Sequence, residues 1–241
     1  MTLNKRSSEI LNKIIKEYIV SAEPISSEYL KKKYRIDLSP ATLRNEMLKL
    51  TEEGYLYQPH TSAGRIPTDK GYRYFVDLLI EKEINGIINE RIKEEVNEIK
   101  KEVKDHLSYL REINRFLALS SSSFSVSYLA EEGFCLREGL MKTFKNPEFS
   151  DVDYARNFIL MIEDFEKSIS EFELNDSAIN VYIGNEIPIK KFKDFGIIVS
   201  KCVFQDREAL IAILGPKRMA YNKSIPLINS IVKILKENNY D

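Results

Sequence analysis

Two adjacent residues in "SPATLRNEMLK", Arg44 and Asn45, are of the types that read nucleic-acid bases. An arginine fork bonds both major-groove acceptors of guanine, and an asparagine amide pairs with adenine in the same two-point way. A little further on, "PHTSAGR" brings His60, Thr61, Ser62 and Arg65 together among turn-forming residues. Hydroxyls and exposed loop N–H groups suit phosphate oxygens, and an arginine at the rim suits phosphate or a narrow minor groove. Residue type alone leaves plainer uses open. Arg44 could form a surface ion pair, which is worth little, and the loop could be polar simply because loops are.

Other chemistries find little to work with. His60 and His106 are the only histidines, and neither has His, Asp or Glu at metal-ligand spacing. No G-x-S-x-G elbow and no phosphate-cradling glycine loop occurs. The carboxylates are dispersed along helical surfaces such as "NERIKEEVNEIKKEVKD". Cys135 and Cys202 stand far apart and read as reduced, mostly buried thiols. Neither an enzyme nor a bound cofactor or metal is expected.

The elements that must position Arg44 and Asn45 are helices. From Lys5 to Ser21, Ile10, Leu11, Ile14, Ile15, Tyr18 and Ile19 share one face. "AEPIS" breaks that pattern, and Ser26 or Ser27 can cap a short helix through "SEYLKKKYR". Ser39 then caps a third helix, Pro40 fits its first position and Gly54 its C-terminal stop. Leu43, Met47 and Leu50 form its buried stripe, which leaves Thr42, Arg44, Asn45 and Lys49 off that face. "YLYQ" and "RIP" read as two short strands around the polar loop. Thr68 caps a helix in which Tyr72, Phe75, Val76 and Leu79 share a face. Three helices followed by a hairpin make a winged helix-turn-helix.

Beyond it, Ile92, Val96, Ile99, Val103, Leu110, Ile113 and Leu117 keep spacings of four and three, interrupted once at His106. One long helix is expected there, pairing either with a second copy or with a neighbouring domain of its own chain. "SSSSFS" marks a break. A helix over 149–169, strands over 178–184, 195–204 and 209–215, and a final helix over 225–235 then form a small α+β domain. The expected domains are 1–80, 81–119 as a linker and dimerisation helix, and 120–241.

With 241 residues, 43% hydrophobic and 30% charged, the chain is globular and holds one large domain or two small ones. The first residues lack the apolar run of a signal peptide, and no 18 consecutive residues are apolar. A cytoplasmic protein without membrane contact is the expectation. Residues 1–74 carry 13 Lys and Arg against 9 Asp and Glu, and the remainder 23 against 28. A mildly basic start on an acidic remainder suits nucleic acid, although an excess of four is small.

"LSPATLRNEMLKLTEEGYLYQPHTSAGRIPTDKGYRYFVDLL", Leu38–Leu79, resembles the winged-helix signature of the heat-inducible transcription repressor family HrcA. "EPISSEYL" is similar to the start of that family's second helix. "LREGLMKTFKNPEFSDVD", "VYIGNE" and "ILGPKRMAYNKSIPLI" resemble its C-terminal GAF-like portion. The resemblance is close over residues 1–80 and patchy over 134–235. It implies a dimeric repressor that binds an inverted-repeat operator ahead of chaperone genes, is helped by the GroEL chaperonin and is released on heating. Matched position by position, it places Thr42, Arg44 and Asn45 of the third helix and His60, Thr61, Ser62 and Arg65 of the wing on DNA. Ser39 and Lys49 complete the candidate set.

The chain departs from the family in length. Members typically carry an inserted dimerisation segment that "FLALSSSSFSVSYLAEEGFCLREGL" runs almost directly across. A reduced GAF-like domain is therefore expected, with the seam at 92–117 taking over pairing. A ligand-sensing regulator with a small molecule in the C-terminal domain, and a winged helix used for protein contacts, are the competing readings.

Overall fold

A computed structural model describes residues 3–84, 88–129, 131, 133–167, 174, 179–188, 190–205 and 207–237. It is an α+β structure divided into two compact units, Met1–Leu78 and Leu79–Asp241.

The first unit contains α1 (Lys5–Ser21), α2 (Ser27–Tyr34) and α3 (Pro40–Glu52), then a two-stranded antiparallel ladder of β1 (Leu56–Tyr57) and β2 (Ile66–Pro67). The helix α4 (Asp69–Ile84) follows. Each helix start is held by a local acceptor: Asn4 takes the Ser7 N–H at 2.9 Å, Ser26 that of Tyr29 at 3.1 Å and Ser39 that of Thr42 at 3.0 Å. Such caps satisfy donors that the helix cannot, for about 1 kcal/mol each. Gly54 ends α3 with φ of 79°, a left-handed value that a side chain would disfavour. Ile10, Leu11, Ile14 and Ile15 of α1 are buried together with Leu30, Leu43, Leu50, Tyr72 and Val76. Full burial of such side chains contributes roughly 1.5–3 kcal/mol each.

A polar knot fastens α2 to α1. The buried Glu17 carboxylate accepts from Tyr29 Oη at 2.7 Å, Tyr34 Oη at 2.7 Å and Lys33 Nζ at 2.5 Å. Burial pushes this carboxyl up, but the three donors outweigh it and hold it below its ordinary value.

The second unit contains α5 (Glu90–Glu102), α6 (His106–Ser121), β3 (Phe124–Leu129), β4 (Phe134–Glu138), α7 (Leu140–Thr143), α8 (Val152–Lys167), β5 (Asn180–Ile183), β6 (Phe195–Phe204), β7 (Arg207–Pro216) and α9 (Tyr221–Glu237). The strands form an antiparallel sheet in the order β4-β3-β7-β6-β5. Alternation along the strands sends Phe124, Val126, Phe195, Ile197, Val199, Ala212 and Leu214 into a core with Phe158, Met161 and Phe165 of α8. α6 and α9 pack on the sheet as well, and α5 packs on both of these helices.

Three expectations are corrected here. The single helix over 92–117 is two. The backbone turns extended at Val103, with φ −109° and ψ 128°, and Asp105 restarts the helix by accepting the Ser108 N–H at 2.9 Å. Residues 81–119 are not a separate linker, because α5 and α6 belong to the second unit. The sheet also has β3 and β4, between the serine-rich break and the expected helix over 149–169, where no strand was expected. The serines are accommodated by Asn114 of α6. Its amide donates to the carbonyls of Ser125 and Leu136, and its oxygen accepts from Ser125 Oγ and Ser127 Oγ. Of the expected helix over 149–169, Ser168 and Ile169 lie outside the described residues, as does Ala178 at the start of the expected strand over 178–184.

Candidate nucleic-acid interface

α3 turns one face inward and another outward. Leu43, Met47 and Leu50 are buried, as expected from their spacing, and so is Glu46. Arg44, Asn45, Leu48 and Lys49 are exposed, and Thr42 is half-buried. The Ser39 hydroxyl is engaged at the helix start, where it meets Thr42 Oγ1 at 2.8 Å as well as the Thr42 N–H. Lys49 pairs with Glu46 at 3.7 Å. Among the described residues the Arg44 and Asn45 side chains have no ion pair and no hydrogen bond. The plainer use of Arg44, a surface ion pair, is therefore not made.

The loop between β1 and β2 holds its shape through one side chain that sequence reasoning passed over. Gln58 Nε2 donates to the carbonyls of Thr61 at 2.8 Å and Ala63 at 2.9 Å, and the Ala63 N–H donates to the His60 carbonyl. His60, Thr61 and Ser62 are left exposed at the tip, with His60 Nδ1 3.2 Å from Ser62 Oγ. The loop's base is tied to the start of α2. Ile25 and Arg65 exchange two backbone hydrogen bonds, at 3.0 and 2.8 Å. Gly64 makes this possible by having no side chain, since a Cβ there would lie 2.4 Å from the Ile25 carbonyl carbon. Gly64 is thus required by a close approach of two backbone segments.

Arg65 and α3 meet in a cleft of about 510 Å³ lined by Ser26, Arg44, Gln58, Thr61, Ser62 and Arg65, among others. Arg65 Nε donates to Thr51 Oγ1 at 3.1 Å, so the last turns of α3 aim its guanidinium. Partial burial and then the nearby positive Arg44 hold Arg65 below its ordinary value. Two guanidiniums thus share one cleft with a single carboxylate, Glu28, an excess of positive charge that favours an anionic occupant. The sequence grouped Arg44 and Arg65 only as members of two separate motifs.

The expected seam falls elsewhere. Val96, Leu110, Ile113 and Leu117 are buried within the chain's own second unit, while Ile92, Ile99 and Val103 are half-buried. The first four are covered by the chain itself, which corrects the seam as a surface offered to a second copy. His106 is exposed, and Gln205 Nε2 donates to its Nδ1. Among the described residues no group of three His, Cys, Asp or Glu is placed to hold a metal ion. No helix among them is long and apolar enough to cross a membrane.

The model of the HrcA protein C-terminal domain matches residues 72–225. The chain is similar to the heat-inducible transcription repressor HrcA of Carboxydothermus hydrogenoformans, with 26% identity over 98% of both chains. It is also similar to that of Clostridium acetobutylicum, with 27% identity over 99% of this chain and 98% of the relative. The first alignment is 333 positions long against 241 residues here, so the relative carries stretches that this chain lacks. A crystal structure of a hypothetical protein at 2.2 Å resolution has the same fold, with a TM-score of 0.80 at 21% identity over 99% of each chain. The family model covers well over half of the sequence, and the chain belongs to the HrcA family.

Proposed function

We propose that the first unit is a winged helix that lays α3 in the major groove of duplex DNA and the β1–β2 loop on the adjacent backbone. The chain acts as a transcriptional repressor of heat-shock genes. The observation that carries this reading is the exposed Arg44–Asn45 face of α3, without polar partners among the described residues, with Arg44 and Arg65 outnumbering Glu28 in one cleft. Arg44 and Asn45 read base edges. Thr42, Lys49, His60, Thr61, Ser62 and Arg65 contact the backbone, and Ser39 holds the start of the helix that presents them. No chemical step is involved.

On an inverted-repeat operator two copies would place their α3 helices in successive major grooves, about 34 Å apart. The second unit, a reduced GAF-like domain in this reading, would lose its packing on heating and release the paired complex, with GroEL assisting recovery. Fluorescence anisotropy of the full chain on a duplex bearing the family's inverted repeat and on a scrambled duplex tests the proposal. A preference of about a thousandfold, falling steeply as salt rises, is expected. Equal weak binding to both would favour a protein-contact module.

A second reading, small-molecule sensing, is favoured by an open cleft of about 630 Å³ in the second unit, lined by Leu119, Phe124, Ile159, Ile162 and Arg137 among others. A metabolite that raises the melting temperature would support it.

A further inference from the structure

One apolar side chain stands where the recognition face should be polar. Leu48 is 45% exposed, and it lies one turn beyond Arg44 and three residues after Asn45. A spacing of three and four puts the three side chains together on one helical surface. Its apolar neighbours in sequence, Met47 and Leu50, are buried on the opposite side. An exposed leucine alone is ordinary, but this one sits among side chains that give the surface its partner. Arg44 and Asn45 are without polar partners among the described residues, and Arg44 shares with Arg65 a cleft whose one carboxylate is Glu28. The surface is complementary to a polyanion. Within the major groove of a duplex, the apolar group available to such a side chain is the C5-methyl of thymine.

We propose that Leu48 is a specificity-determining residue that packs against a thymine methyl group next to the bases read by Arg44 and Asn45. The proposal rests on the DNA-binding reading above and adds a base to what α3 recognises.

The test separates the two. Duplexes enriched by the full chain from a random pool are remade with single thymines replaced by deoxyuridine, which removes the methyl group and nothing else. For the unsubstituted protein, deoxyuridine at one position per half-site should weaken binding about fourfold, the worth of one buried methyl group. L48A should bind the thymine and deoxyuridine duplexes equally, while K49A should weaken both alike and keep the fourfold difference. The proposal is overturned if no thymine position responds to deoxyuridine, or if L48A retains the full difference. A pool that yields no enriched duplex overturns the DNA reading itself and this proposal with it.

Discussion

Replacing Gly64 by alanine should loosen the base of the β1–β2 loop without touching a single side-chain contact. The added Cβ would lie 2.4, 2.5 and 2.7 Å from the carbonyl carbon, oxygen and nitrogen of Ile25. All three are backbone atoms, so no rotamer change relieves the overlap. One of the two backbones must move, and the hydrogen bonds between Ile25 and Arg65 are the first to lengthen. Two such bonds contribute about 1 kcal/mol each, and an overpacked site costs typically 1–3 kcal/mol. A local loss of roughly 3–5 kcal/mol follows, which is a change of about a hundredfold to several thousandfold in an opening equilibrium. Amide hydrogen exchange on the full chain reads it directly at the Ile25 and Arg65 N–H groups, whose protection should fall by that factor. Gly54→Ala is the control, because nothing lies within 4 Å of its Cβ and the cost is only that of a φ of 79°, roughly 1–2 kcal/mol. Unchanged protection at Ile25 and Arg65 in G64A would refute the claim that close backbone approach is what requires glycine there. DNA affinity should fall with the protection, since the backbone that carries Arg65 is no longer held against Ile25.

Three further outcomes follow from the same contacts. Arg44→Ala should weaken binding to the selected duplex by about 1–3 kcal/mol and barely alter the melting temperature, because the side chain is exposed and has no polar partner among the described residues; an equal loss on a scrambled duplex would show that Arg44 contacts only phosphate. The Glu17 carboxyl is held below its ordinary value of 4.5, so its stabilising contribution is complete above that pH and is lost as pH falls through the lower, folded value. Exchange protection in α1 and α2 should therefore decline in acid, and Glu17→Gln should flatten that decline; an identical acid profile in the variant would remove the knot from the account. Asn114→Leu should strand the buried hydroxyl of Ser127, at about 1–3 kcal/mol for an unsatisfied group, and leave that of Ser125 only its 3.4 Å bond to the Ala212 carbonyl. Its melting temperature should drop by several degrees, and a melting curve that overlays the unsubstituted one would count against the Asn114 cluster as the support of β3.

The local signals in the sequence were sufficient for local structure. Ser39, Pro40 and Gly54 bound α3, Thr68 starts α4 with its Oγ1 on the Gly71 N–H at 3.1 Å, and the four-and-three spacing of Leu43, Met47 and Leu50 marks the face that is buried. Each of these is decided within a few residues, by a cap, a left-handed turn or a helical period. Arg44 and Asn45 were legible as an outward pair for the same reason. Leu48 was not singled out, because apolar type counts toward the core until its neighbours are known to be on the other side.

What covers a face is a separate matter, and periodicity is silent on it. The seam from Ile92 to Leu117 looks equally suited to a second copy and to the chain's own sheet; the fold settles Val96, Leu110, Ile113 and Leu117 inside the second unit. The break at Val103–Asp105 coincides with the interruption of the spacing at His106, and Asp105 caps a new helix there. β3 was hidden by Ser125 and Ser127, polar residues at buried positions whose hydroxyls Asn114 accepts from, with the Ala212 carbonyl a second acceptor for Ser125. Gly64 likewise reads as a turn residue until Ile25, thirty-nine positions earlier, is found against it. The sequence alone determined the helices of the first unit, their caps and the outward side chains of α3, since those depend on neighbours in the chain. Only the tertiary structure decided which surfaces are already occupied, since that depends on partners brought together by folding.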